Sequence, residues 1–292
     1  MKKYELTTEC KEFLGRKLYR IKALTFFSDV KEGDLGGWIE KEENLSQEGN
    51  TWVYDNARVC GNATVSDNAT VSDNATVSGN ATVSDNATVS GTARVSGNAT
   101  VSGNAWVSGN ATVSGNAWVY GNATVYGYAT VSGNAWVYGN ATVYDNATVY
   151  GNAMVYGNAR VYGNAMVYGN ARVYDNATVY DNARVCGNAM VYGNVRVHGN
   201  AMVYGNAEIK KKTHLLEIGF IGSRDDVTTF FRTKDEEIFV KCGCFKGNID
   251  EFEKQVQEVH GDDKHGRVYA LAIAMAREQI ELDDEDVEEE DD

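Results

Sequence analysis

From Val53 onward, every sixth residue is a valine without a slip through Val203, and the next landing is Ile209. Most of the 27 hexads read Ala-x-Val-[Ser/Tyr]-[Gly/Asp]-Asn, with Thr, Arg, Met or Trp at x, as in Ala99-Thr100-Val101-Ser102-Gly103-Asn104. A fixed short period marks a repeat architecture that grows in one dimension, so the length of 292 residues does not convert into a domain count. Apolar residues at two of every six positions, two apart, cannot share a face of 3.6-residue period, and the Gly and Asn at the corners are poor helix formers. A solvated linker has no reason to keep Ala and Val in such strict places. A short strand does. Ala and Val two apart point to one side, the residue between them points out, and the [Gly/Asp]-Asn pair turns the corner through left-handed backbone. The expected fold is therefore mainly β, a parallel β-solenoid.

One hexad buries too little to offset the entropy of ordering it, so the unit must be stacked. Hydrogen bonds and Asn–Asn ladders between coils are expected to supply the rest. Among the departures from the pattern, Val195 fills an Ala slot, and Thr92 and Tyr128 replace Asn.

The hexad is similar to the repeat of the left-handed parallel β-helices, the trimeric hexapeptide-repeat superfamily. The lead-in Phe27-Ser28-Asp29-Val30-Lys31-Glu32-Gly33, Gly36-Gly37-Trp38-Ile39, Leu45-Ser46-Gln47 and Trp52-Val53-Tyr54 resembles the start of YdcK-type bacterial proteins, which are often classed as transferases. The resemblance covers roughly residues 17–209. It implies left-handed coils of three hexads and 18 residues, hence about nine coils and a prism about 40 Å long at strand spacing.

The remaining chain falls into three parts. Residues 1–50 lie outside the register, contain an alternating stretch at 17–24, and are read as an N-terminal β cap, because an unpaired terminal coil is a sticky edge. Residues 51–209 are the solenoid. Residues 210–280 are expected to form a small α+β domain, with strands at 215–221, 227–233 and 238–242. Helices are expected at 249–260, with Asn248 as N-cap and Ile249, Phe252, Val256 and Val259 on one face, and at 264–280. No family is recognised for this part. Residues 281–292 hold ten acids and read as a disordered tail.

That tail carries most of the formal charge of −14, so the folded part is nearly neutral and nucleic acid is not an expected partner. No apolar run reaches membrane-spanning length, and the N-terminus lacks a signal-peptide core. The five cysteines are scattered and imply no disulfide framework. A bacterial cytoplasm or a phage particle fits, and no cofactor is expected.

Sorted by 18, the outward residues form columns. Thr64, Thr82 and Thr100 stand in one and Thr70 and Thr88 in another. Farther along, Tyr120, Tyr138, Tyr156, Tyr174 and Tyr192 form a column, as do Tyr126, Tyr144, Tyr162 and Tyr180. Trp118 and Trp136 neighbour the first Tyr column, with Met154, Arg172 and Met190 continuing theirs. Such ladders suit sugar rings, a partner protein or a second copy of the prism. The plainer reading is that Tyr and Thr are good strand-surface residues that stack on their own kind. Ice binding by the Thr columns is a remoter alternative, since the motif is Thr-Val-Ser and gives way to Tyr.

The resemblance also implies an acyltransferase alternative, in which a His acts as general base and an acyl-CoA is bound between subunits. His198 is the only histidine in the array, in a Ser/Tyr slot, and no loop interrupts the coils to build a pocket around it. Cys242, Cys244, His260 and His265 have the donor types for zinc, but one residue between the cysteines is tighter than usual; small residues on a strand explain them as well. Asp55 with Asp73, and Asp67 with Asp85, stack at corners and are candidates for a cation or for isolated carboxylates. The expected function is a non-catalytic scaffold whose Tyr/Thr faces bind protein or carbohydrate or join copies into a homo-oligomer.

Overall fold

A computed structural model of the chain describes residues 2–223 and 225–283. The hexads become two-residue strands, from β4 (Trp52–Val53) to β30 (Glu208–Ile209), after three cap strands β1 (Tyr4–Phe13), β2 (Arg16–Ala23) and β3 (Leu35–Ile39). Each repeat strand pairs in parallel with the strand eighteen residues on, as in Thr100↔Trp118 and Val101↔Val119. Three sheets result, one on each side of the prism. The first face carries Arg58, Thr76 and Arg94 outward, the second Trp52, Thr70 and Thr88, the third Thr64, Thr82 and Thr100. With the cap, the solenoid makes about ten turns.

Every repeat Val and every Ala of the hexads is buried, and together they form one continuous core. The corners hold because left-handed backbone is available: Gly103 has φ of 68° and Asp145 of 57°. Asn side chains then run up the edges as amide ladders. One joins Asn50 to Asn68 and continues without a gap to Asn194. A second runs from Asn62 to Asn206. On the third edge Thr92 still donates its hydroxyl to Asn110, but the exposed Tyr128 breaks the line before Asn146 resumes it.

The cap is a hairpin of β1 and β2, of which the sequence shows only the second strand. Strand β3 pairs with the first coil, Trp38 opposite Arg58 and Ile39 opposite Val59, so the cap supplies an imperfect extra turn. Gly36 permits this approach, because a Cβ there would stand 2.6 Å from the Ile21 side chain, the Trp52 ring and the Val53 carbonyl.

At the other end lie strands β31 (Leu215–Ile221), β32 (Asp226–Arg232), β33 (Ile238–Cys242) and β34 (Phe245–Asn248) and helices α1 (Ile249–His260) and α2 (Lys264–Gln279). Strand β34 is not evident from sequence. Asn248 caps α1 in a reciprocal capping box with Glu251. Ile249, Phe252 and Val256 are buried as expected, but Val259 is 65% exposed, so the buried stripe of α1 ends one turn early. This sheet closes the solenoid: Phe231 and Leu215 join the solenoid core, and the buried Arg232 guanidinium donates to Glu208 at 3.0 Å. Of the acidic segment 281–292, residues 284–292 lie outside the described residues.

Candidate functional site

The aromatic columns form as the period of eighteen requires. Tyr120, Tyr138, Tyr156, Tyr174 and Tyr192 stack with centroids 4.9, 4.8, 4.8 and 4.7 Å apart and planes within 4° of parallel. Beside them on the third face, Trp118 and Trp136 stack at 5.6 Å, and the Trp136 ring meets Tyr120 edge-on at 6.1 Å. Tyr126, Tyr144, Tyr162 and Tyr180 stack at 5.0, 4.7 and 5.1 Å on the second face. A third column escaped the sequence reading: Tyr150 stacks on Tyr168 at 4.9 Å. Sorting by eighteen shows it too, followed by Cys186 and Tyr204.

Stacking decides what these columns present. A ring parallel to its neighbours above and below offers its edge to solvent, and both faces are used. Along the columns the tyrosines are half-buried except Tyr126 at the start of its column, which is 37% exposed, and Trp118 and Trp136 remain 43% and 40% exposed. Burial raises the phenol pKa values of Tyr120, Tyr138, Tyr144, Tyr156 and Tyr180, and those of Tyr168 and Tyr174 to about 12. Trp106, on the second face, has Thr88 and Thr124 as rung neighbours and donates its indole N–H to Ser90.

His198 ends the second Tyr column, its ring 5.3 Å from that of Tyr180. The array alone gives it no partner, but the closing domain does. Glu217 of β31 places a carboxylate oxygen 3.7 Å from His198 Nδ1 and accepts a hydrogen bond from the His198 backbone N–H at 3.4 Å. Burial raises the Glu217 pKa, and the nearby His198 opposes that rise. The pair lines a cavity of about 300 Å³ with Arg196, Lys212 and Gln279.

Cys242, Cys244 and His260 do share a cavity, about 240 Å³, with Phe245, Phe252 and Tyr269, while His265 is not among its lining residues. The Cys242 sulfur accepts the Thr228 hydroxyl at 3.2 Å, and the His260 ring lies 3.4 Å from Asp263. Among the described residues no three His, Cys, Asp or Glu side chains are placed to hold a metal ion. The corner carboxylates already have a job: Asp73 accepts the Gly91 N–H at 2.8 Å and Asp85 the Gly103 N–H at 2.9 Å, each stapling the next coil. Asp55 and Asp67 do the same to Asp73 and Asp85, at 3.3 Å each.

A parallel β-solenoid of uninterrupted hexads, closed by a hairpin cap and an α+β domain, is the class these features define. Segments spread over residues 53–199, from 53–67 to 183–199, match the sequence profile of the YdcK β-solenoid repeat, and the chain belongs to that family. It is similar to a protein of Escherichia coli strain K12 named "Uncharacterized acetyltransferase YdcK", with 42% identity over 67 residues. The match takes in 20% of this chain and 21% of the relative, so the chain spans about a fifth of the curated relative it matches. No helix among the described residues is long and apolar enough to cross a membrane.

Proposed function

We propose that this protein is a non-catalytic binding rod, and that its third face docks a second copy of the chain. The observation that carries this is the pair Trp118 and Trp136, exposed side by side next to the Tyr120 and Tyr138 rings on a flat sheet. Ring edges make a flat apolar stripe, which suits another flat surface. Sugars stack on ring faces, but Tyr138, Tyr156 and Tyr174 have both faces against neighbouring rings and Trp118 and Trp136 cover one face of each other, so a protein partner is favoured over carbohydrate here. Exposed aromatics of this size are typical interface anchors. Light scattering during size exclusion tests the proposal: the chain elutes as an oligomer, and Trp118→Thr with Trp136→Thr, which restores the residue type of Thr100 in the same column, returns it to monomer. A wild-type monomer at tens of micromolar would overturn the reading.

The His198–Glu217 pair favours a second reading, transfer of an acyl group from acyl-CoA, in line with the relative's name. A carboxylate beside an imidazole is the arrangement a general base uses. Titration with acetyl-CoA tests it; saturable binding lost in His198→Ala supports the enzyme, and no binding removes it.

A further inference from the structure

Beside the His198 cavity an open groove of about 720 Å³ runs over the second face, lined by Asn158, Arg160, Asn176, Thr178, Asn194, Arg196 and Lys212. Among the described residues no carboxylate lines it. Arg160, Thr178 and Arg196 occupy three successive rungs, so the two guanidinium groups rise from alternate coils, about 10 Å apart along the axis at strand spacing. Along the groove's edge the three Asn amides form a ladder with one rung per coil, bonded at 3.1 Å, and each keeps an N–H and an oxygen lone pair unused by its neighbours.

We propose that this groove binds an acidic polysaccharide segment in which a uronic acid alternates with a neutral sugar, lying along the solenoid axis. An extended β-linked chain of pyranose rings advances by close to one rung per ring. Its carboxylates therefore meet Arg160 and Arg196 on alternate rungs, and its hydroxyls meet the amides and the Thr178 hydroxyl between. Lys212 stands at the end next to the closing domain and extends the row of positive charge. Of the carboxylates around it, Glu217 belongs to the adjoining cavity and is engaged by His198, and the corner residues Asp175 and Asp181 accept the backbone N–H groups of Gly193 and Gly199. A compact polyphosphate would need cations that converge on one point, whereas these are spread along the axis. The site is on a different face from Trp118 and Trp136 and stands whether or not copies associate there.

Calorimetric titration with a hyaluronan octasaccharide tests the proposal, with a neutral chitin oligosaccharide and inorganic diphosphate as comparison probes. Binding of the acidic oligosaccharide is expected to saturate and to weaken with added salt. It should fall about tenfold or more in Arg160→Gln with Arg196→Gln, because charge-assisted hydrogen bonds are lost. Trp118→Thr with Trp136→Thr should leave it unchanged. The altered arginines are exposed, so an unchanged circular dichroism spectrum separates lost binding from lost fold. Absence of binding to the wild-type chain, equal binding by the arginine variant, or binding of diphosphate in preference to the oligosaccharide each overturns it.

Discussion

Trp118 and Trp136, eighteen residues apart in sequence, lie with ring centroids 5.6 Å apart and planes 16° from parallel. The relationship follows from the hexad: three hexads close one coil, so identical outward residues at that spacing must meet on neighbouring rungs. The same rule builds the Tyr columns and the Asn ladders. What differs is what each leaves free, edges for the rings and hydrogen-bonding groups for the amides.

The broken third ladder gives a stability test. Tyr128 stands between Asn110 and Asn146 and is 67% exposed. Tyr128→Asn should restore two side-chain bonds and raise the unfolding free energy by about 1 kcal/mol, the usual net worth of such bonds at the low end. Denaturant unfolding of the two chains measures it; no gain would mean the amide ladders contribute little.

Core volume gives a second. Val195 occupies an Ala slot in the last coil, where no further coil follows. Ala135 sits between Ala117 and Ala153 in the middle of the stack, all fully buried. Ala135→Val should therefore cost about 1–3 kcal/mol by overpacking, and a thermal melt shows it as a lower midpoint.

Alkaline pH should loosen the protein. Tyr168, Tyr174 and Tyr204 have pKa values raised to about 12 against an ordinary 10, chiefly by burial. The folded chain then holds these protons more tightly than the unfolded chain. Their contribution is complete below pH 10 and is lost as pH rises from there through about 12. Ultraviolet titration should show tyrosinate forming late, together with unfolding.

Glu217 adds an acid-side dependence. Its pKa is raised above the ordinary 4.5, so its contribution to stability is full below that value and is lost as pH rises through the folded-state value. Glu217→Gln removes the charge and should flatten stability against pH across the mildly acid range. A dependence unchanged in the variant would place its origin elsewhere.

The solenoid was legible because its geometry is local and repeated: Val, Ala, Gly/Asp and Asn each have one place, and one hexad predicts the next. The Tyr120 and Tyr126 columns followed from the same count. The partner of His198 was hidden, because Glu217 comes from a strand beyond the array and meets it only through the way the closing sheet sits on the last coil. The groove of Arg160, Arg196 and Lys212 was hidden for a related reason: two members share a column, but the third comes from outside the repeat. The extra strands Tyr4–Phe13 and Phe245–Asn248 lack strong alternation, and their partners, not their own sequences, define them.

Face-specific crosslinking tests the central claim most directly. In a background with the exposed Cys10 and Cys244 replaced by serine, one new cysteine is placed at Met154, which continues the Trp column on the third face, and separately at Thr124 on the second. If the third face joins two copies, Met154→Cys forms covalent dimers under mild oxidation and Thr124→Cys does not. Equal crosslinking at both positions, or none at Met154, would contradict the account.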